Sequence, residues 1–343
     1  MSPVKHESQS LPQTLSASGI FEPIKPHMAA LDAFLEKQVL EFSPVTREMV
    51  RYTFTHRGKR LRPALVFFSG WNGEEPSEDL VRGAAIVELI HLATLVHDDI
   101  LDDARLRHAS PTLFAKYGSH TAVLLGDAIL AHALKLMADF ESIEFCRATA
   151  AATRKVCDGE IWQTAERGNA AISLDAYFKI IQMKTGELFE ISAYLGAMLG
   201  GHGAEKGAAC AKFGGALGRA YQIFDDLVDL AGSEKSAGKT LGTDLASGKF
   251  TLPVILFLQK LDATERAKTV AEISSGTLGA TELATRIRER KIPEETLEYF
   301  ARELETARAA IAPYAENPGT RRMLELADFV AAQTEKVFSA RPQ

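Results

Sequence analysis

Two acidic clusters of identical spacing carry the chemistry that this 343-residue chain could perform. The first reads His97-Asp98-Asp99-Ile100-Leu101-Asp102-Asp103, the second Asp225-Asp226-Leu227-Val228-Asp229. On a helix, residues four apart share a face, so Asp98 and Asp102 point together, as do Asp225 and Asp229. Asp99 and Asp226 stand about 100° around the axis. Like charges one turn apart repel, and more strongly when desolvated. The flanks are apolar: Leu89-Ile90 and Leu95-Val96 precede the first cluster, Ile223-Phe224 the second. Carboxylates in such a setting need a compensating cation. Hard oxygen ligands suit Mg²⁺, which takes one or two carboxylates and completes its shell with water and substrate phosphate. Two clusters facing each other could hold two or three such ions around one diphosphate. One cluster alone could equally be a solvated acidic face; two copies with the same spacing and context argue against that.

A polyanion also needs direct donors. Gly58-Lys59-Arg60-Leu61-Arg62-Pro63 places three cations ahead of a proline, and Arg105 and Arg107 follow the first cluster. Lys184-Thr185-Gly186 lies in a helical run, and Lys239 and Lys249 follow the second cluster, each after a glycine that lets backbone approach an anion. Taken singly, each is an ordinary surface charge. Their bracketing of both acidic clusters points to anion binding.

The elements that must position these residues are helical. Leu31, Phe34, Leu35 and Val39 mark one face of a first helix, and similar stripes recur over Leu80–Leu101, Ala122–Ala138, Tyr177–Leu199 and Ala208–Leu230. A last helix follows Asn317-Pro318-Gly319 through Met323, Leu326 and Val330. Val254–Leu258 alone fits strand or helix, and Ser274–Thr281 reads as a surface loop. Residues 1–26, rich in Ser, Gln and Pro, read as a flexible tail, and residues 27–340 as a single helical domain. The net charge of −6 excludes a global field for nucleic acid. Cys146, Cys157 and Cys210 lack disulfide or metal spacing. The longest apolar stretch, Ala122–Ala138, is interrupted by Asp127, His132 and Lys135, so no transmembrane segment and a cytoplasmic location are expected.

With these motifs in hand, the chain resembles the trans-isoprenyl diphosphate synthase (polyprenyl synthetase) family from about Lys25 onward. The carriers are the first cluster with Leu106-Arg107 and Pro111-Thr112, the second with Tyr221-Gln222-Ile223-Phe224, and the downstream Gly238-Lys239, Gly242, Asp244-Leu245 and Gly248-Lys249-Phe250-Thr251-Leu252-Pro253. The resemblance implies an all-α, single-domain orthogonal helical barrel around a deep apolar cavity, in a homodimer. It implies that Asp98, Asp102 and Asp225 bind Mg²⁺, supported by Asp99, Asp226 and Asp229. Arg107, Lys184, Thr185, Gln222, Lys239 and Lys249 would hold an allylic diphosphate, and Lys59, Arg62 and His91 isopentenyl diphosphate. The family's Arg-Arg after the first cluster is here Arg107-His108. A histidine carries full charge only near or below pH ~6.5, which implies a weaker grip on isopentenyl diphosphate.

The implied reaction needs no side-chain nucleophile. Diphosphate departs from the allylic substrate, the double bond of isopentenyl diphosphate attacks the resulting cation, and proton loss leaves a product one C5 unit longer. Ala93 and Thr94, about one turn before Asp98, occupy the positions where short-chain members commonly carry an aromatic. Together with Ala122-Val123-Leu124-Leu125-Gly126-Asp127 they resemble long-chain polyprenyl synthases serving quinone biosynthesis. A short-chain (farnesyl or geranylgeranyl) synthase is the alternative if bulky side chains cap the pocket deeper down. A class I terpene cyclase would lack the second Asp-Asp-x-x-Asp. An HD-type metal phosphohydrolase would use His97-Asp98 with His56 and His91, and leaves the second cluster unexplained. A non-catalytic partner subunit would not need both clusters intact.

Overall fold

The computed structural model describes residues 17–55, 58–71, 75–107, 110–231 and 242–338. His108 and Lys239 lie outside the described residues, as do His56 and residues 1–16. The described chain is helical almost throughout: α1 (Ala17–Phe21), α2 (Lys25–Val39), α3 (Pro44–Thr55), α4 (Leu61–Ser69), α5 (Glu78–Leu101), α6 (Leu113–Tyr117), α7 (Ser119–Ala138), α8 (Ile143–Ala165) and α9 (Leu174–Ile181). A π-turn, Gln182–Gly186, joins α9 to α10 (Glu187–Leu199). There follow α11 (Gly203–Ala231), α12 (Thr243–Ala246), α13 (Leu252–Gln259), α14 (Ala263–Ser274), α15 (Ala280–Glu289), α16 (Ile292–Ile311) and α17 (Pro318–Phe338). Leu106–Arg107 and Ser110–Pro111 form a two-stranded antiparallel hairpin in which Leu106 faces Pro111 and Arg107 faces Ser110.

The central helices are α5, α10 and α11. Ser77 caps α5 by accepting from the Leu80 N–H at 3.2 Å, and Glu78 and Asp79 sit where the helix dipole favours anions. Val81, Ala84, Ala85, Ile86, Val87, Leu89 and Ile90 are all buried, so this helix is enclosed on most sides rather than on one stripe. Helix α11 packs along α10 on one side and α16 on the other, while α5 packs along α7 and α4 lies against α10. At the α5–α7 crossing, a β-carbon on Gly126 would stand 2.2 Å from His97 Nε2, so the missing side chain at Gly126 makes room for the His97 ring.

Three expectations change. Part of the expected tail belongs to the core: α1 begins at Ala17, and Ile20 and Ile24 are fully buried, one turn apart on the same side. The ambiguous Val254–Leu258 is the buried body of α13, entered through Pro253 at its first turn. The expected loop Ser274–Thr281 is trimmed at both ends by α14 and α15, and Leu278 within it is buried.

Glu78–Leu101 and Ser119–Ala138 are both long and apolar enough to cross a membrane by length and composition. In α5 72% of the most apolar stretch is buried inside the protein, which marks a core helix; in α7 the figure is 44%.

Candidate active site

Both acidic clusters fall at helix C-termini: Asp98 and Asp99 in the last turn of α5 with Asp102 as its cap, and Asp225, Asp226 and Asp229 in the last two turns of α11. This is the negative end of each helix dipole, so the carboxylates meet an adverse local field as well as one another. The two clusters are linked through shared partners, since the Asp244 N–H donates to Asp229 and Asp244 also pairs with Lys249. Lys249, from the segment after the second cluster, reaches back to Asp102 of the first, donating from Nζ to Oδ2 at 3.0 Å. It also pairs with Asp244 at 3.5 Å.

The remaining cations and donors sort by which carboxylate they serve. Arg107, placed by the hairpin, donates from Nε and Nη2 to Asp99 Oδ1 at 2.9 and 2.8 Å. Asp226 is buried and takes the Tyr177 hydroxyl on one oxygen at 2.6 Å and Gln222 Nε2 on the other at 2.7 Å. The Thr185 hydroxyl donates to Gln222 Oε1 at 2.7 Å, which links the π-turn to α11. Asp229 accepts from the Thr243 hydroxyl at 3.0 Å and the Asp244 N–H at 3.1 Å. Lys184 forms an ion pair with Glu160 and donates to Gln163 Oε1 at 2.8 Å.

Burial decides the protonation of these groups. It pushes the Asp98 carboxyl up to about 6, against the pull of Lys184, with Glu160 and Asp102 adding to the rise. Asp226 is raised too, by burial and then by Asp244. Burial and the neighbouring Asp226 push the Tyr177 phenol well above its ordinary value, so it stays protonated and donates. Burial alone would raise Asp102 as well, but Lys249, Lys184 and Arg167 outweigh it and hold this carboxyl below the usual range.

The residues expected for a second substrate lie beside α4. Arg60 adopts a left-handed backbone (φ 49°) and turns inward to Asp32 and Glu88, so the middle cation of the Lys59-Arg60-Leu61-Arg62 run is structural. Arg62 donates to His91 Nε2 at 3.1 Å and lies 4.6 Å above the Phe189 ring. Arginine can only donate, so His91 accepts at Nε2 and carries its proton on Nδ1. Burial, then Arg62 and Arg107, hold His91 well below its ordinary value, and it stays neutral. Burial also lowers Arg62 to about 10, which leaves it charged at neutral pH. Lys59 is exposed on the segment entering α4.

Ala93 is buried, and the Thr94 hydroxyl donates to the His91 carbonyl at 2.8 Å. Thr94 therefore spends its polar group on its own helix and can turn only its methyl to a neighbour. A cavity of about 550 Å³ lies elsewhere, between α8, α10 and α11 and against Lys155, Glu187, Tyr194 and Arg219. Convergence of charge, not cavity size, locates the chemistry here. The histidine-based metal reading finds no support: His97 Nε2 lies 3.3 Å from the Val123 carbonyl and 3.4 Å from Asp127, while His91 is engaged by Arg62.

Sequence reasoning missed Glu160, Gln163, Arg167 and Tyr177, and noted Asp244 only as part of the Asp244-Leu245 motif, with no role at the site. Tyr177 lies seven residues, two helical turns, before Lys184, a spacing that would have flagged it. The π-turn left no signal in the apolar pattern, although such widened turns are frequent at functional sites.

Comparison with known proteins identifies the family. The polyprenyl synthetase family model matches residues 43–286, well over half of the chain. An all-trans-nonaprenyl-diphosphate synthase (geranyl-diphosphate specific) from Rhodobacter capsulatus is 32% identical over 258 residues, covering 75% of this chain and 79% of that protein. Heptaprenyl diphosphate synthase component 2 from Bacillus subtilis is 36% identical over 225 residues, covering 66% of this chain and 65% of that protein. Among solved structures, a decaprenyl diphosphate synthase from Rhodobacter capsulatus superposes with a TM-score of 0.86 at 31% identity, covering 93% of this chain and 99% of that one. A polyprenyl synthase from Caulobacter crescentus, complexed with calcium and isoprenyl diphosphate, superposes with a TM-score of 0.85 at 28% identity, covering 94% and 99%. With this match over its aspartate clusters and its helical frame, the chain belongs to the polyprenyl synthetase family.

Proposed function

We propose that this chain is an all-trans polyprenyl diphosphate synthase, a prenyltransferase that joins isopentenyl diphosphate to an allylic diphosphate and makes a medium to long product for quinone side chains. The observation that supports the reading is the bridging position of Lys249, which donates to Asp102 of the first cluster and pairs with Asp244, whose N–H donates to Asp229 of the second.

The donor set fits Mg²⁺. Among the described residues no three acidic, histidine or cysteine side chains converge into a ready cage. Mg²⁺ does not need one, since one or two carboxylates with water and phosphate complete its shell. Asp99, Asp226 and Asp229 already hold partners from Arg107, Tyr177, Gln222, Thr243 and backbone. Those partners suit a supporting role for these three; the family resemblance, not a lack of partners, assigns the metal to Asp98, Asp102 and Asp225, and at Asp102 the metal would compete with Lys249 and Arg167. When bound, Mg²⁺ supplies Lewis-acid stabilisation of the charge on the departing diphosphate.

The chain's own groups do the rest. Arg107, Lys184, Lys239 and Lys249 neutralise and orient the allylic diphosphate, with Thr185 and Gln222 as neutral donors. Lys59, Arg62, His91 and His108 position isopentenyl diphosphate so that its double bond faces the allylic carbon. The carbon–oxygen bond breaks with its electron pair leaving on diphosphate, the alkene pair forms the new carbon–carbon bond, and loss of the adjacent proton restores a double bond. Buried walls around α5 and α11 keep water from the cation.

The enzyme is read as a cytoplasmic homodimer. Val123, Leu124 and Leu134 on α7 and Ile143 and Ile161 on α8 are exposed large apolar side chains on two helices that pack together, a surface that suits a second copy. Catalysis is tested by incubating purified protein and Mg²⁺ with isopentenyl diphosphate and C5, C10, C15 or C20 allylic primers, then separating the dephosphorylated products. Absence of isopentenyl diphosphate consumption with every primer would sink the reading.

Asp98 gives the site opposite pH trends for stability and metal binding. Its folded value is raised, so the metal-free stability it contributes is complete below the ordinary carboxylate range and lost as pH rises through about 6. Metal binding needs the carboxylate and weakens as pH falls through the same value. The gain in melting temperature on adding Mg²⁺ with pyrophosphate should therefore be larger at pH 7.5 than at pH 5. Equal gains at the two pH values would contradict the assignment.

A further inference from the structure

We propose that Arg167 is a counter-ion gate on the first acidic cluster, occupying Asp102 without metal and yielding it when a divalent cation binds. The inference rests on the functional reading above and extends it to a residue outside the expected site.

The two oxygens of Asp102 are held by separate cations. Oδ2 accepts from Lys249 at 3.0 Å, and Oδ1 accepts from Arg167 Nη2 at 2.8 Å. Arg167 is not a surface cation that happens to lie nearby. It sits in the turn between α8 and α9, and the backbone of that turn is pinned from several sides. The Gly168 N–H donates to the Gly248 carbonyl at 2.8 Å, Arg266 donates to the Ala170 carbonyl at 3.1 Å, and the Ala171 N–H donates to Asn169 Oδ1 at 2.9 Å. Gly248 has φ +76°, and a β-carbon on it would stand 3.4 Å from the Gly168 nitrogen and 3.9 Å from Arg167 Cβ. The turn carrying Arg167 is thus docked on the turn carrying Lys249, and the two deliver their charges to one carboxylate.

Asp98 differs: Lys184 is the cation that acts on it most strongly, and Lys184 itself is committed to Glu160. A divalent cation held by Asp98 and Asp102 would compete with the two cations already on Asp102. Lys249 is the harder to move: its side chain is 9% exposed and a second carboxylate, Asp244, holds it at 3.5 Å. Arg167 is 25% exposed, its other contact is a long one to the Leu101 carbonyl at 3.4 Å, and its buried Nε has no partner. Arg167 yields. The same pair supplies the charge balance that two carboxylates at a helix C-terminus need before metal arrives.

The test uses Mn²⁺ as the metal and inorganic pyrophosphate as the anion, with free Mn²⁺ followed by electron paramagnetic resonance and no turnover. Arg167→Gln should bind Mn²⁺ about three- to fivefold more tightly than wild type, the size expected for removing a partly exposed ion-pair competitor. Arg167→Lys, which keeps the charge, should stay near wild type. A purely structural role would instead lower the melting temperature in EDTA and leave the Mn²⁺ constant unmoved. An unchanged or weaker constant in Arg167→Gln overturns the gate, whereas a wild-type protein that binds no Mn²⁺ with pyrophosphate overturns the functional reading beneath it.

Discussion

Asp98→Asn should abolish most of the synthase activity while leaving the metal-free protein at least as heat-stable as wild type. Asparagine keeps the size and shape of the side chain and removes only its charge. At pH 7.5 Asp98 is ionised, since its carboxyl titrates at about 6, and that charge is buried at the negative end of α5 beside Glu160 and Asp102. Neutralising it relieves an unfavourable burial, so the melting temperature in EDTA should hold or rise. For catalysis the sign reverses. The lost charge weakens metal at the centre where negative charge builds on the leaving diphosphate, and kcat should fall on the order of 10³-fold. Lys184 remains anchored to Glu160 in the variant, so the loss reports on the carboxylate rather than on a displaced lysine. Activity within tenfold of wild type would remove Asp98 from the metal set.

Ala93→Phe should shorten the product by several C5 units. Ala93 is buried on α5, a little over one turn below Asp98, and its neighbour Thr94 has its hydroxyl tied to the His91 carbonyl. A hydrocarbon chain growing away from the aspartates along α5 would pass small side chains at this level. A phenyl ring there fills the space that later isoprene units would need. Size decides the alternative. If Ala93 is simply packed against a neighbouring helix, the ring overfills the core, stability drops by roughly 1–3 kcal/mol, and the product keeps its length. Product chromatography and a melting curve on the same preparation separate the two outcomes. A lower melting temperature with unchanged product would rule out a place for Ala93 in the chain-length pocket.

The helical frame was legible because its stripes are long: α5, α7 and α11 each repeat apolar residues over many turns, a pattern few other structures produce. The aspartates were legible because like charges at fixed spacing in apolar sequence have few bland explanations. The start of the chain was misread because Ile20 and Ile24 are only two anchors among Ser, Gly and Pro, too few to register as a period. Arg167 and Glu160 were missed for a different reason. Each acts through a partner far away in sequence, Arg167 on Asp102 and Glu160 on Lys184, and no local pattern encodes such a pairing. The three-cation run before α4 was legible as a group but not in its division of labour. That depends on the backbone sign at Arg60, which sends one cation to Asp32 and Glu88 and leaves Arg62 over Phe189.

The π-turn at Gln182–Gly186 has a consequence for register. A π-turn amounts to one extra residue in an otherwise α-helical rod, so everything after it is rotated by about 100° relative to an uninterrupted helix. Before the turn, Tyr177 reaches Asp226 on α11; after it, Phe189 lies under Arg62 and Glu187 meets Lys155 on α8. A rod one residue shorter could keep the first contact or the other two, but not all three. The extra residue acts as a splice between two phases of the same helix, and it seats Lys184 and Thr185 in the seam.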